Sequence, residues 1–191
     1  MIDILKNLFF ISIIIWLLPA FRQRKNKLFF YFLILAISDP ISILLQYVKL
    51  SNYVTAYYML VFFMLLVFSI NVNNRIKYKY FYLLIGLILL YVGFFGGINL
   101  HYFIYILLHW FIFINFLKEF IINAVSMNSI NIFYLVLMFY ELTIITKILN
   151  LVLGFSDATA FYFITSIFQI AFGLFFSIFR EDKTRIALKS R

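Results

Sequence analysis

Long uncharged stretches dominate this sequence. Between Lys79 and Lys118 lie 38 consecutive residues without Asp, Glu, Lys or Arg, and further uncharged runs cover residues 50–74 and 158–179. A helix needs about 20 apolar residues to cross about 30 Å of hydrocarbon. Because 66% of the 191 residues are apolar and only 12% are charged, the chain has too little polar material to cover a water-soluble domain. The sequence therefore predicts an all-α membrane protein.

Polar breaks divide the chain into seven apolar segments that can each span a bilayer. The longest uncharged run must turn, because 38 residues in one helix would measure about 57 Å at about 1.5 Å per residue. Gly96 and Gly97 mark that turn. We expect residues 1–191 to form a single transmembrane domain, a bundle of seven transmembrane helices. The spans are approximately residues 2–21, 28–48, 53–71, 80–95, 102–120, 130–153 and 159–179.

The basic residues indicate how the bundle is oriented. Loops rich in Lys and Arg stay in the cytoplasm, and 13 of the 16 basic residues fall at the ends of alternate spans on one side, leaving Lys6, Lys49 and Lys147 towards the other. This predicts an outside amino terminus and a cytoplasmic carboxyl terminus, and we expect a bacterial inner (plasma) membrane. Topology and anionic headgroups at the cytoplasmic face, not nucleic acid, then account for the net charge of +9. The 13 residues are Arg22, Arg24, Lys25, Lys27, Arg75, Lys77, Lys79, Lys118, Arg180, Lys183, Arg185, Lys189 and Arg191.

Several features are assigned local structural roles. The basic cluster follows the first apolar stretch, so we expect that span to be retained and not cleaved as a signal peptide. Gly93 and Gly97 form a GxxxG pair, which we assign to the turn and not to helix packing. Residues near the span ends are read as interfacial anchors or helix caps. The anchors are Tyr31, Tyr47, Tyr53, Tyr57, Tyr58, Tyr78, Tyr80, Tyr82 and Tyr102, and the caps are Ser126, Asn128, Ser129, Ser156 and Asp157.

Two segments separated by 102 positions resemble each other. Shifting the chain by that amount lays FYFLILAISD, residues 30–39, over IFYLVLMFYE, residues 132–141, and aligns Asp39 with Glu141. The two segments belong to the second and sixth spans, which run in the same direction. This indicates a parallel 3+1+3 repeat, with the fourth span as the connection. Chance similarity between segments rich in Phe, Leu and Ile is the alternative.

Asp39 and Glu141 are the strongest candidates for a functional site. Each lies about twelve residues into its span, where a charged side chain costs roughly 2.5 to 3.5 kcal/mol on insertion scales and is seldom kept without a partner or a pathway. We expect both carboxyl groups to point into the bundle. Glu141 should not pair with Lys147, because six positions along one helix rotate the two side chains about 120° apart. The structural alternative is that Asp39 pairs with Lys147 or a histidine and holds helices together.

Further polar side chains share faces with these acids. Ser38, Asp39, Ser42 and Gln46 form a stripe on the second span. On the sixth span Thr143 and Asn150 flank Lys147, and on the seventh Thr165 and Ser166 precede Gln169. The alternative for Lys147 is that its long stem snorkels to the outer interface. His109 is interpreted either as a residue that hydrogen-bonds across the bundle or relays a proton, or as a satisfied core histidine. We expect His101 to lie at the interface. The candidate substrate-binding or ion-binding residues are Asp39, Ser42, Gln46, His109, Glu141, Lys147 and Gln169.

The sequence lacks the motifs of common catalytic sites. It has no GxSxG, HExxH, P-loop or Rossmann glycine pattern, and no cysteine. His101 and His109 lie about 12 Å apart along one helix, too far to hold one metal ion. We therefore predict no catalytic residue, metal or cofactor, and a protein that handles a small solute, ion or proton. The alternatives are a non-catalytic sensor or subunit with a protein partner in a membrane complex, and an intramembrane enzyme acting on a lipid-like substrate.

Overall fold

A computed structural model describes residues 2–50, 53–70, 72–154 and 157–187. Asn71, Ser156, Lys189 and Arg191, which the sequence assigns to a span end, a cap and the basic cluster, lie outside the described residues. The described ranges form helices joined by short loops, with one pair of short strands. The helices are α1 Ile2–Arg22, α2 Phe29–Tyr47, α3 Val54–Ser69, α4 Val72–Lys77, α5 Lys79–Phe95, α6 Ile98–Ser126, α7 Ile132–Leu153 and α8 Ala158–Ile178, and the strands are β1 Ser129–Asn131 and β2 Arg185–Ala187.

The helical character predicted from the sequence is confirmed for the described residues, and the apolar helices are compatible with a membrane. Four of the described helices, α2, α6, α7 and α8, are long and apolar enough to cross a membrane. α3 and α5 are also apolar but shorter, with 16 and 17 residues, and α1 has 21 residues. The outward faces carry large apolar side chains, as contact with lipid requires; on α5, for example, Leu83 and Leu87 are 63% and 56% exposed.

Six helices form a closed ring. Each packs against two neighbours in the order α1, α2, α3, α6, α7, α8 and back to α1. The fourth apolar helix, α5, lies outside this ring and packs on α3. The ring therefore consists of three consecutive helices, then the displaced α5, then three more consecutive helices.

Gly93 lets α5 approach α3 closely, which corrects its assignment to the turn. It lies inside α5 and is buried, and a Cβ placed on it would come within 2.6 Å of the Ala56 Cα on α3. Gly97 does lie at the turn, as the residue before α6, with nothing within 4 Å of its Cβ position. Of the two glycines of the GxxxG pair, Gly93 therefore permits helix packing and Gly97 forms part of the turn.

Aromatic side chains fill the ring at the end where α2 and α7 begin. Six fully buried rings from α2, α6, α7 and α8 meet there in edge and tilted contacts, with centroids 5.1 Å apart for Phe32–Phe176 and 5.3 Å for Tyr31–Phe116. We call this group the aromatic plug. Its members are Tyr31, Phe32, Phe116, Phe133, Tyr134 and Phe176.

A polar network covers the plug on the side of the basic loops. Lys27 Nζ lies 2.7 Å from the Glu119 carboxylate and 3.6 Å from that of Glu181, so the α1–α2 loop, the end of α6 and the segment after α8 meet. The Tyr134 hydroxyl donates to Glu181 at 2.5 Å. These contacts place the carboxyl-terminal segment across one end of the bundle.

Two boundaries near this network differ from the prediction. α6 continues to Ser126, six residues beyond the predicted end of the span. Ser129 lies in β1, which pairs antiparallel with β2, and the cap of α7 is Asn131, whose side chain accepts from the Phe133 amide. The predicted cap of α8 is confirmed: Asp157 accepts from the Thr159 and Ala160 amides, and these bonds lower the pKa of its carboxyl group.

Candidate functional site

The ring encloses a cavity of about 370 Å³ on the other side of the aromatic plug. All six ring helices contribute to its wall, and α5 does not. In α2 the cavity residue Asp39 lies eight positions from the plug residue Tyr31, and in α6 His109 lies seven positions from Phe116, which corresponds to about 10 to 12 Å along a helix. The polar and tyrosine side chains in the wall are Ser12, Ser38, Asp39, Tyr58, Tyr102, Tyr105, His109, Tyr140, Lys147, Tyr162, Ser166 and Gln169.

Asp39 lies in the wall at the middle of α2, directly before Pro40. The Tyr58 hydroxyl donates to its carboxylate at 3.3 Å. The neighbouring Tyr57 hydroxyl donates at 2.9 Å to the backbone oxygen of Ser38, so two consecutive tyrosines of α3 fix this part of α2. The prediction that Asp39 points into the bundle is confirmed.

Lys147 faces the same cavity from α7. Its Nζ lies 4.0 Å from the centroid of the Tyr162 ring on α8, a cation–π contact that stabilises the charged amine. Asp39 and Lys147 interact electrostatically. Within the described ranges, however, no ion pair within 4.0 Å joins them. The direct pair proposed as the structural role of Asp39 is therefore not formed.

Glu141 is fully buried and holds His109 in position. Tyr31 donates its hydroxyl hydrogen to one carboxylate oxygen, and the other oxygen lies 2.7 Å from His109 Nδ1. With Glu141 as a carboxylate, both groups donate to it, so in that arrangement Nδ1 carries the hydrogen. His109 Nε2 is buried and has no hydrogen-bond partner among the described residues. As predicted, Glu141 points inward and does not pair with Lys147.

The structure brings together only some of the residues predicted to form the site. Asp39, His109, Lys147 and Gln169 line the cavity. Glu141 lies behind the wall and reaches the site through His109. Ser42 is buried but does not line the cavity. Gln46 is exposed, and its amide donates to the Ser42 hydroxyl at 3.4 Å. The polar stripe predicted on α2 therefore turns away from the cavity beyond Asp39.

Two secondary predictions also change. Thr143 bonds its own helix and lies in an outer groove between α7 and α8, not in the cavity. Thr165 is buried and donates to the Phe161 backbone oxygen at 2.9 Å, outside the lining. His101 lies near the start of α6 and is buried, with its Nε2 3.0 Å from the Val92 oxygen across the α5–α6 turn.

Tyrosines are the site residues that sequence reasoning missed. Tyr31, Tyr58 and Tyr102 were read as interfacial anchors, yet the first binds Glu141, the second binds Asp39 and the third lines the cavity. Tyr47 and Tyr80, by contrast, are 85% and 76% exposed, as anchors require. No sequence signal separates Tyr31 and Tyr58 from anchors, since they are the third residue of α2 and the fifth of α3, close to the helix ends where anchors lie.

The site offers carboxylate, amine, imidazole, hydroxyl and amide groups. In the part of the chain that the structure describes, no three His, Asp or Glu side chains are close enough to hold a metal ion together. Comparison with models of protein families, with curated protein sequences and with solved structures finds no match for this chain. The arrangement can bind the charged and hydrogen-bonding groups of a small solute.

Proposed function

We propose that this protein is a carrier of a small solute across a membrane. The observation that supports this most directly is the cavity of about 370 Å³ inside the six-helix ring, lined by Asp39, His109 and Lys147. Polar groups are costly inside a membrane protein and tend to mark substrate or ion pathways. A cavity of this size accommodates a small organic molecule.

The proposed topology has seven spans with the amino terminus outside, in a bacterial inner membrane. The contacts of Lys27 with Glu119 and Glu181 support it, because they bring three of the basic regions to one side of the bundle. In this orientation the plug faces the cytoplasm and the cavity lies towards the outside. The basic residues at the cytoplasmic side would also bind anionic lipid headgroups.

The proposed 3+1+3 repeat agrees with the order of the ring. Advancing three places around the ring takes α1 to α6, α2 to α7 and α3 to α8. A twofold axis through the centre of the ring would produce this relation. The shift of 102 residues that aligns Asp39 with Glu141 also aligns Tyr31 with Phe133 and Phe32 with Tyr134, all four in the plug. Two such halves can rock against each other around a central site and expose it to either side.

Glu141 and His109 are the proposed proton site of this carrier. Glu141 holds the imidazole of His109 in the cavity wall, with Nε2 buried and without a hydrogen-bond partner among the described residues, and we propose that a proton binds at this nitrogen. A proton gained there adds positive charge to the wall and so changes the affinity for a charged solute. Solute binding and protonation would therefore be linked.

Asp39→Asn tests the proposal. Asparagine keeps the volume and the contact with Tyr58 but removes the charge, so we expect the bundle to stay folded and solute binding to be lost. Solutes would first be screened by thermal stabilisation of the purified protein in detergent, which assumes no reaction, and those that bind would be followed as uptake into proteoliposomes.

Asp157→Asn is the matched control. It makes the same chemical change at an exposed acid that caps α8, a position where asparagine caps as well as aspartate. Binding and uptake should match the unmodified protein. If no solute stabilises the protein, or if Asp39→Asn binds and transports as the control does, the carrier proposal is wrong. A large loss of stability in Asp39→Asn would favour the structural subunit instead.

A further inference from the structure

Opposite charges face the cavity from opposite sides of the ring. Asp39 lies on α2 and Lys147 on α7, and each of these helices is three places from the other around the ring. Each has a tyrosine from a neighbouring helix: Tyr58 at Asp39 and Tyr162 at Lys147. They interact electrostatically without a direct ion pair. The wall thus presents a carboxylate and an amine that a bound molecule can bridge.

The remainder of the wall is mostly apolar. Side chains that are wholly or largely apolar reach it from α1, α2, α3 and α7, whereas the lining residues of α6 and α8 are tyrosines, His109, Ser166 and Gln169. Such a surface favours a solute with an apolar body. These side chains, of which only that of Trp16 carries a polar atom, are Phe9, Trp16, Leu35, Phe62, Leu65, Ile144, Ile148 and Leu151.

We propose that the cavity binds a zwitterion with an apolar body, of the amino-acid type, with its ammonium group at Asp39 and its carboxylate at Lys147. This inference rests on the proposed carrier function and specifies its substrate class. A solute with a single charge would satisfy one of the two wall charges and leave the other without a counter-charge in a poorly solvated site, which is unfavourable. A neutral polyol would satisfy neither.

A matched series of probes tests this directly. L-phenylalanine carries both charges, 2-phenylethylamine lacks the carboxylate, 3-phenylpropanoate lacks the ammonium group, and 3-phenyl-1-propanol lacks both, while sorbitol represents neutral polyols. Binding to the purified full chain would be measured by thermal stabilisation and by calorimetry. We expect L-phenylalanine to bind at least about tenfold more tightly than each of the others, because every 1.4 kcal/mol of interaction is tenfold in affinity.

Two variants should each remove a different part of the preference for L-phenylalanine. Asp39→Asn should remove the advantage of L-phenylalanine over 3-phenylpropanoate, and Lys147→Gln should remove its advantage over 2-phenylethylamine. Asp157→Asn and Lys49→Gln, which change an exposed acid and an exposed base outside the cavity, should leave the order of the probes unchanged. A purely structural role of the two residues would weaken all probes alike and would not produce this crossed pattern.

The outcomes separate this inference from the carrier proposal. If a singly charged probe, the alcohol or sorbitol binds as tightly as L-phenylalanine or more tightly, the zwitterion inference is wrong and the solute site remains. If none of the probes binds while another solute from the general screen does, the inference is also wrong. If no solute binds in either experiment, both proposals fail. The probe series on the unmodified protein decides the matter even if one variant does not fold.

Discussion

Glu141 shows how a single acid is accommodated inside the bundle. It is fully buried, and its two oxygens meet a tyrosine hydroxyl from α2 and an imidazole nitrogen from α6. Three helices are therefore joined at one carboxylate. Because a buried polar group without partners is strongly destabilising, this residue should matter for stability as well as for protonation of His109.

Glu141→Ala should destabilise the protein by about 3 to 5 kcal/mol, because it leaves the Tyr31 hydroxyl and His109 Nδ1 without their shared partner. Tyr31→Phe removes one donor and keeps the pair with His109, so its cost should be smaller, about 1.5 to 3 kcal/mol. Unfolding in detergent, followed by circular dichroism, measures both. Thr146→Ala, at an exposed position of the same helix, should change stability by no more than about 0.5 kcal/mol. Equal stability of Glu141→Ala and the unmodified chain would refute this description of the network.

The two acids were predictable from the sequence, but their partners were not. Asp39 and Glu141 stand out because a charge at mid-span is costly. Tyr31 and Tyr58 have no such signature, since tyrosine is common in membrane helices for other reasons. Which tyrosine meets which acid depends on how each helix is rotated, and an apolar helix that faces lipid on one side gives little periodicity from which to read that rotation.

Among the helices, the contact between α3 and α5 depends on Gly93. Gly93→Ser should force the helices apart, because its Cβ would lie 2.6 Å from the Ala56 Cα, and we expect a loss of about 1 to 3 kcal/mol. Gly97→Ser is the matched control, since its Cβ position has nothing within 4 Å and serine is a good residue before a helix. Unfolding in detergent should separate the two variants. Equal stability would contradict close packing at Gly93.

Solute binding should survive in Gly93→Ser wherever the protein remains folded, because α5 lies outside the ring and contributes nothing to the cavity wall. Calorimetry with the solute found in the general screen measures this. Loss of binding in a folded variant would show that α5 takes part in the site.

The helix positions were more predictable than their ends. Hydropathy placed α2 and α7 within two residues of their bounds, Phe29–Tyr47 and Ile132–Leu153. The extension of α6 to Ser126 is missed because Lys118 and Glu119 end the uncharged run, whereas the six residues after Phe120 are mostly apolar and continue the helix. The β1–β2 pair was missed because each strand has three residues and depends on pairing across more than fifty positions of chain.

For the whole molecule, the orientation is the prediction that the sequence supports best. Leu50→Cys should react with an impermeant maleimide applied to intact cells, and Lys25→Cys should react only after the cells are permeabilised. Both residues are exposed, and the chain has no native cysteine to give background. The reverse pattern would place the amino terminus inside and turn the cavity towards the cytoplasm.

The number of apolar segments could be read from the sequence, but the ring could not. Alternating basic loops constrain only which helix ends share a side. They leave open which helices are neighbours, and therefore that α5 is displaced while α3 packs against α6. That order depends on close contacts such as Gly93 with Ala56 and on hydrogen bonds such as Glu141 with His109.

The central claim is that the ring encloses a cavity that water and solute enter from outside, and one pair of cysteine variants tests it most directly. Gln169 lines the cavity near the middle of α8, whereas Ile167, two residues earlier, is 46% exposed on the outer face of the bundle. A small charged methanethiosulfonate reagent would be applied from outside. We expect Gln169→Cys to react and Ile167→Cys to remain unmodified, because the reagent needs water and a thiol facing lipid has none. Failure of Gln169→Cys to react, or equally fast reaction of Ile167→Cys, would contradict the claim.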